Sequence, residues 1–165
     1  MSQGSPAEDI AALLHSGFRY ALSLTHNEAH AEDILQDAWY AVLHAGGPHN
    51  KPYLFTAIRA RFLNQRKRDL LVPLVPLEEM AEQDYAYDDS ELLQVAYDNK
   101  ALQNALATLR AAERETLFLT AVEGYTAQEV AELTQQSRGT ILSMLHRARL
   151  KLRQYLSDPK TGEAS

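Results

Sequence analysis

Along most of this chain apolar residues recur every three or four positions, and the strict alternation of a surface strand is nearly absent. Ile10, Leu13, Leu14 and Gly17, continued by Ala21 and Leu24, begin one amphipathic stretch that Thr25 to Glu28 interrupts. A second helix is expected from about Ala31 to His44. At 100° per residue it gathers Ile34, Leu35, Ala38, Trp39 and Val42 on one side. Asp33, Gln36, Asp37 and Tyr40 fall on the other, leaving a polar, acidic stripe. Gly46, Gly47 and Pro48 end this helix. A third begins near Pro52, with Leu54, Phe55, Ile58 and Phe62 inward and Arg59, Arg61, Arg66, Lys67 and Arg68 flanking that apolar face.

Periodicity then stops. From Leu70 to Gln94 two prolines, Pro73 and Pro76, block a continuous helix, and the acidic run after them is poor in core-forming residues. Leu102, Leu106 and Leu109 restart the helical pattern, and Leu117, Phe118, Ala121 and Val122 continue it. Thr126, with Glu129 three residues on, has the form of a capping box that starts the next helix. The polar break Thr134 to Ser137 follows, with Ser137 placed to cap a long helix from Arg138. Two helices joined by so short a turn make a helix-turn-helix. In its second helix Ile141, Leu145, Ala148 and Leu152 face inward, whereas Thr140, Ser143, Met144, Arg147 and Lys151 project outward as a candidate DNA-reading surface. The fold class expected is therefore all-α, with two small helical domains at 1–69 and 98–156, an acidic linker at 70–97 and a tail at 157–165.

A chain of 165 residues, 45% of them hydrophobic, can bury one ordinary core or two small helical ones, and the pattern favours two. The net charge of −6 argues against nucleic-acid binding until the charges are mapped. Met1 to Asn50 holds one Arg and six acids, and Lys51 to Arg68 holds six bases and no acid. Asp69 to Asn99 holds nine acids and no base, whereas Lys100 to Leu156 holds eight bases and five acids. Two basic surfaces joined by an acidic connector suit a polyanion, because the local field outweighs the total. Without cysteine, neither a disulfide framework nor a thiolate metal site is available. The start MSQGSPAEDI has no signal-peptide pattern, and no apolar run approaches a membrane span, so a cytoplasmic protein without membrane insertion is expected.

Three segments, in this order, resemble the extracytoplasmic-function, or group IV, sigma factors of bacterial RNA polymerase. AEDILQDAWYAVL and PYLFTAIRARFLNQRKR are similar to that family's region 2, and ALATLRAAERETLFLTAVEGYTAQEVAEL through GTILSMLHRARLKLR to its region 4. The resemblance implies a factor that binds core RNA polymerase and directs promoter recognition and transcription initiation. It assigns Asp33, Gln36, Asp37 and Tyr40 to the clamp helices of the polymerase's largest subunit, an acidic stripe meeting a basic surface. Arg59, Arg61, Arg66, Lys67 and Arg68 would track the melted minus-ten element, with Tyr53 as the stacking aromatic, while Phe55 and Phe62 have core spacing. The helix from Arg138 would enter the major groove of the minus-thirty-five element. Ser143 and Arg147 would lie nearest the bases, Thr140 on the same outward face, and Arg138, Lys151 and Arg153 near phosphates. The acidic linker would thread the RNA exit path, and an anti-sigma factor is the expected regulator.

Some positions depart from the family pattern. Ala60 stands where Asn is common, Thr134 to Ser137 replaces Leu-Gly-Ile-Pro, Leu142 and Met144 replace Lys or Arg, and Arg110 replaces Pro. These departures keep a second reading open, a sigma-like decoy that binds an anti-sigma factor without directing transcription; the preserved basic block from Lys51 to Arg68 argues against it. An enzyme is not expected, nor any cofactor or metal. His26 and His30 lie four apart, yet across a break and without an HExxH pattern, so they read as surface histidines. No Gly-rich phosphate loop or nucleophile setting appears.

Overall fold

In the computed structural model of the chain, residues 6–71 and 100–157 are described. The expected linker at 70–97 and the tail at 157–165 therefore lie almost wholly outside the described residues. Helices α1 (Pro6–Thr25), α2 (Glu28–Ala45) and α3 (Lys51–Leu71) form the first group. The second comprises α4 (Lys100–Ala107), α5 (Ala111–Leu117), α6 (Ala127–Thr134) and α7 (Arg138–Ser157). Helix α5 runs on into one π-helical turn at Phe118–Val122. No strand occurs among the described residues.

Local chemistry sets the boundaries. Helix α2 starts three residues earlier than its apolar pattern suggests, because the Asn27 side chain accepts the His30 amide at 2.8 Å and caps it. Gly46 closes the helix at φ 65, a left-handed conformation that costs glycine little. Helix α3 begins at Lys51, where the Asn50 side chain accepts the Tyr53 amide at 2.9 Å and Pro52 occupies the first turn, which needs no amide donor. The Thr126 and Glu129 capping box is present in both directions, at 3.1 and 2.9 Å. Ser137 Oγ accepts the Thr140 amide at 3.1 Å and caps α7. The turn between α6 and α7 lacks glycine, and Gln135 takes the left-handed conformation itself at φ 56.

Burial follows the wheel on α2, where Ile34, Ala38 and Val42 are fully enclosed. Tyr20 of α1 stacks on Phe55 of α3 at 4.5 Å between centroids and lies 6.2 Å from Phe118. Through that aromatic contact the buried side chains of the two helical groups form one continuous cluster. Two expectations need correction. Met144 does not project outward: it stands one turn before Ala148 on the same side of α7, and its unbranched side chain packs into the cluster at 6% exposure. His26 is no surface histidine, being buried in the α1–α2 turn at φ 51.

Replacing Thr126 by Ala should lower stability by about 1 kcal/mol in urea unfolding, with Thr126→Ser near wild type. Equal midpoints for all three chains would show that the capping box contributes nothing to the fold.

Candidate polymerase and promoter interfaces

Helix α2 turns its apolar side to α1 and α3, which leaves Asp33, Gln36, Asp37 and Tyr40 exposed together on its far side. Tyr40 is 66% exposed and its ring stacks on His44, one turn later, at 5.3 Å. Where α2 and α3 diverge, Asp37 and Tyr40 share a polar cleft of about 390 Å³ with Arg61, Asn64, Gln65 and Arg68. The acidic stripe and part of the basic block thus occupy one continuous surface. His30 reaches across the same seam, its Nε2 lying 2.6 Å from Gln65 Oε1.

The α3 cations are not equivalent. Lys67 and Arg68 are exposed, Arg61 is half-buried, and the Arg66 guanidinium lies 5.4 Å from the centroid of the buried Phe62 ring. Arg59 points the other way, its Nε donating to Glu115 Oε2 at 2.9 Å. Of the aromatic residues in this stretch, Phe55 and Phe62 are core, and Tyr53 is 38% exposed. The Tyr53 ring lies over Gly47, where a β-carbon would meet it at 2.4 Å, so the glycine makes room for it. On α7, Arg138, Thr140 and Ser143 are exposed, with Thr140 Oγ1 2.8 Å from Ser137 Oγ. Lys151 and Arg147 are drawn to Glu113 of α5: Lys151 Nζ donates to both carboxylate oxygens at 2.9 and 3.2 Å, and Arg147 Nε stands 3.7 Å away.

Four residues that sequence reading did not single out organise this region. Glu113, Arg114 and Glu115 are consecutive on α5, and each is 2–3% exposed. Successive side chains on a helix point about 100° apart, so the three reach different neighbours. Glu113 serves α7 and also accepts the Arg110 amide at 2.9 Å, at the start of α5. Arg114 donates to the Ser23 and Leu24 carbonyls at 2.9 and 3.1 Å, satisfying the free C-terminal end of α1, and to the Leu109 carbonyl at 2.6 Å. Glu115 Oε2 accepts both Arg59 and the hydroxyl of Tyr20, the fourth of these residues. Burial raises the Glu115 carboxyl above its ordinary range, and the Arg59 charge and the Tyr20 hydrogen bond only partly oppose this. Burial, followed by the Glu115 charge, raises the Tyr20 phenol, which keeps it protonated as a donor.

Among the described residues, no group of three or more His, Asp or Glu side chains is placed to hold a metal ion. No described helix is long and apolar enough to cross a membrane.

Among the described residues, an all-helical arrangement that includes a capped helix-turn-helix, with segregated acidic and basic surfaces, has the build of a transcription factor. A family model for sigma-70, region 4, matches residues 99–152. The ECF RNA polymerase sigma factor EcfG of Rhodopseudomonas palustris is 31% identical over 153 residues, covering 88% of this chain and 81% of that one. SigL of Mycobacterium tuberculosis, also an ECF RNA polymerase sigma factor, is 27% identical over 157 residues, covering 92% and 86%. Among solved structures, the sigma factor RpoE in complex with the anti-sigma factor NepR from Bartonella quintana superposes with a TM-score of 0.67 at 25% identity, over 93% of this chain and 97% of that one. The chain belongs to the ECF RNA polymerase sigma factors, and it acts in promoter recognition and transcription initiation with core RNA polymerase.

The raised Glu115 carboxyl has a signed consequence. Its folded value lies above the unfolded one near 4.5, so its contribution to stability is complete below that pH and is lost as pH rises through the folded value. Unfolding free energies of wild type and Glu115→Gln, measured from about pH 4 to 8, cancel the other carboxyls when subtracted. The wild-type advantage should shrink as pH rises, and a flat difference would contradict the raised carboxyl.

Proposed function

We propose that the acidic stripe Asp33, Gln36, Asp37 and Tyr40 is the surface that docks this sigma factor on core polymerase. The α3 cations Arg59, Arg61, Arg66, Lys67 and Arg68 then receive the melted minus-ten strand, and α7 reads the minus-thirty-five element through Arg138, Thr140, Ser143, Arg147 and Lys151. The division into units at 1–69 and 98–156, joined by an acidic linker at 70–97, belongs to the same reading. The observation that carries it is the shared α2–α3 surface, where the exposed stripe and the Arg61 and Arg68 side of the basic block border one cleft. A factor seated on polymerase through that stripe presents its cations to the adjoining strand at the same time. Complementary charge orients such docking, while the phosphate contacts position the nucleic acid.

The work is done by binding energy, with no catalytic step of its own. An anti-sigma factor is the natural regulator, a reading supported by the structural likeness to a sigma factor held by one. Such a regulator covers the stripe and so competes directly with polymerase.

Reversing two charges of the stripe, in Asp33→Lys with Asp37→Lys, should weaken core polymerase binding on the order of a hundredfold and abolish run-off transcription. Helical circular dichroism should remain unchanged. Unaltered core affinity in a folded double variant would sink the assignment of the stripe. Core binding by the wild type without discrete start sites on genomic DNA would instead favour the decoy reading.

A further inference from the structure

Two residues of α7, Leu142 and Met144, stand where the family more often has Lys or Arg, and the structure sends them to different places. Met144 is enclosed in the core, so its missing charge has no bearing on the surface. Leu142 remains 41% exposed in the second turn of α7, directly before the exposed Ser143. A single exposed leucine says little by itself; its neighbours give it a role. Along the same line of the helix, at three- and four-residue steps, follow His146, Arg149 and Arg153. With Leu145 and Leu150 these four border a cleft of about 210 Å³. The other flank of α7 is committed elsewhere: Lys151 Nζ bonds both Glu113 oxygens at 2.9 and 3.2 Å, and Arg147 Nε stands 3.7 Å from the same carboxylate. Leu142 and Arg147 lie about 140° apart around the helix axis, so the Glu113 contacts leave the Leu142 line open.

We propose that Leu142 is a base-reading residue of the minus-thirty-five contact and that it reads the 5-methyl group of a thymine. The inference rests on the entry of α7 into the major groove made above, and it adds a determinant which that assignment does not contain. Base edges in the major groove offer hydrogen-bonding groups, and the thymine methyl is the apolar feature among them. Side chains in the first turns of a recognition helix are the ones that reach those edges. The Leu142 side chain has no polar atom, so against any other base it would cover a donor or acceptor without pairing it. Nor can it hold a phosphate. Arg149 and Arg153, about two and three turns further on, can take phosphates beside it and press the groove against the helix. Where a cation at this position would grip the backbone of any sequence, leucine gains only over an A·T pair.

The test uses holoenzyme, the chain assembled on core polymerase, with fluorescent promoter duplexes taken from mapped start sites. Each thymine of the minus-thirty-five element, on either strand, is replaced in turn by deoxyuridine, which removes only the methyl group. At one position the exchange should weaken wild-type binding roughly fourfold, as expected for one buried methyl. Leu142→Ala should bind the natural duplex at least as weakly as wild type binds that uracil duplex, and should not distinguish the two. Leu142→Lys should bind more tightly at low salt, with a salt slope steeper by about 0.9, and should also ignore the methyl. Uracil without effect on wild type at every position, or equal methyl sensitivity in wild type and Leu142→Ala, would overturn the proposal. A Leu142→Ala chain that fails only in assembly with core would place the leucine in a protein contact and overturn it equally. Holoenzyme indifferent to the entire element would sink the placement of α7 itself, so the two failures are distinguishable.

Discussion

A carboxylate enclosed in the core is the constraint from which the rest of this structure follows. Glu115 is 2% exposed, and an ionised group so far from water is tolerated only when donors surround it. Both its donors come from the other helical group, the Tyr20 hydroxyl from α1 and the Arg59 guanidinium from α3. The position of α5 is therefore tied to α1 and α3 by electrostatic necessity as well as by apolar area. Arg114 adds the reverse demand, since its buried guanidinium needs the Ser23 and Leu24 carbonyls that a helix C-terminus leaves free. Each group supplies what the other cannot satisfy alone.

Much of the helical architecture was legible in the sequence because it obeys local rules. Ile34, Ala38 and Val42 went inside as the 100° wheel places them, and Thr126 with Glu129 started its helix as a capping box should. The stripe of Asp33, Gln36, Asp37 and Tyr40 was legible for the same reason, being the exposed remainder of that wheel. Glu115 and Arg114 escaped because periodicity assigns charged residues to the surface. Their partners stand 95, 91, 90 and 56 residues away, where no local pattern reaches. Met144 failed differently: it sits at the edge of the apolar face, and a flexible thioether chain can bend inward from such an edge.

The two helical groups also show how one residue type takes opposite roles according to burial. Asp33 and Asp37 on α2 are exposed and spaced along a face, a geometry that offers charge to an incoming surface. Glu113 and Glu115 on α5 are buried and spend their charge inside the molecule. Glu113 binds Lys151 and approaches Arg147, both within the second group, so it holds the inner side of α7 with no contribution from the first. Glu115 acts between groups, and its contacts exist only when the groups meet.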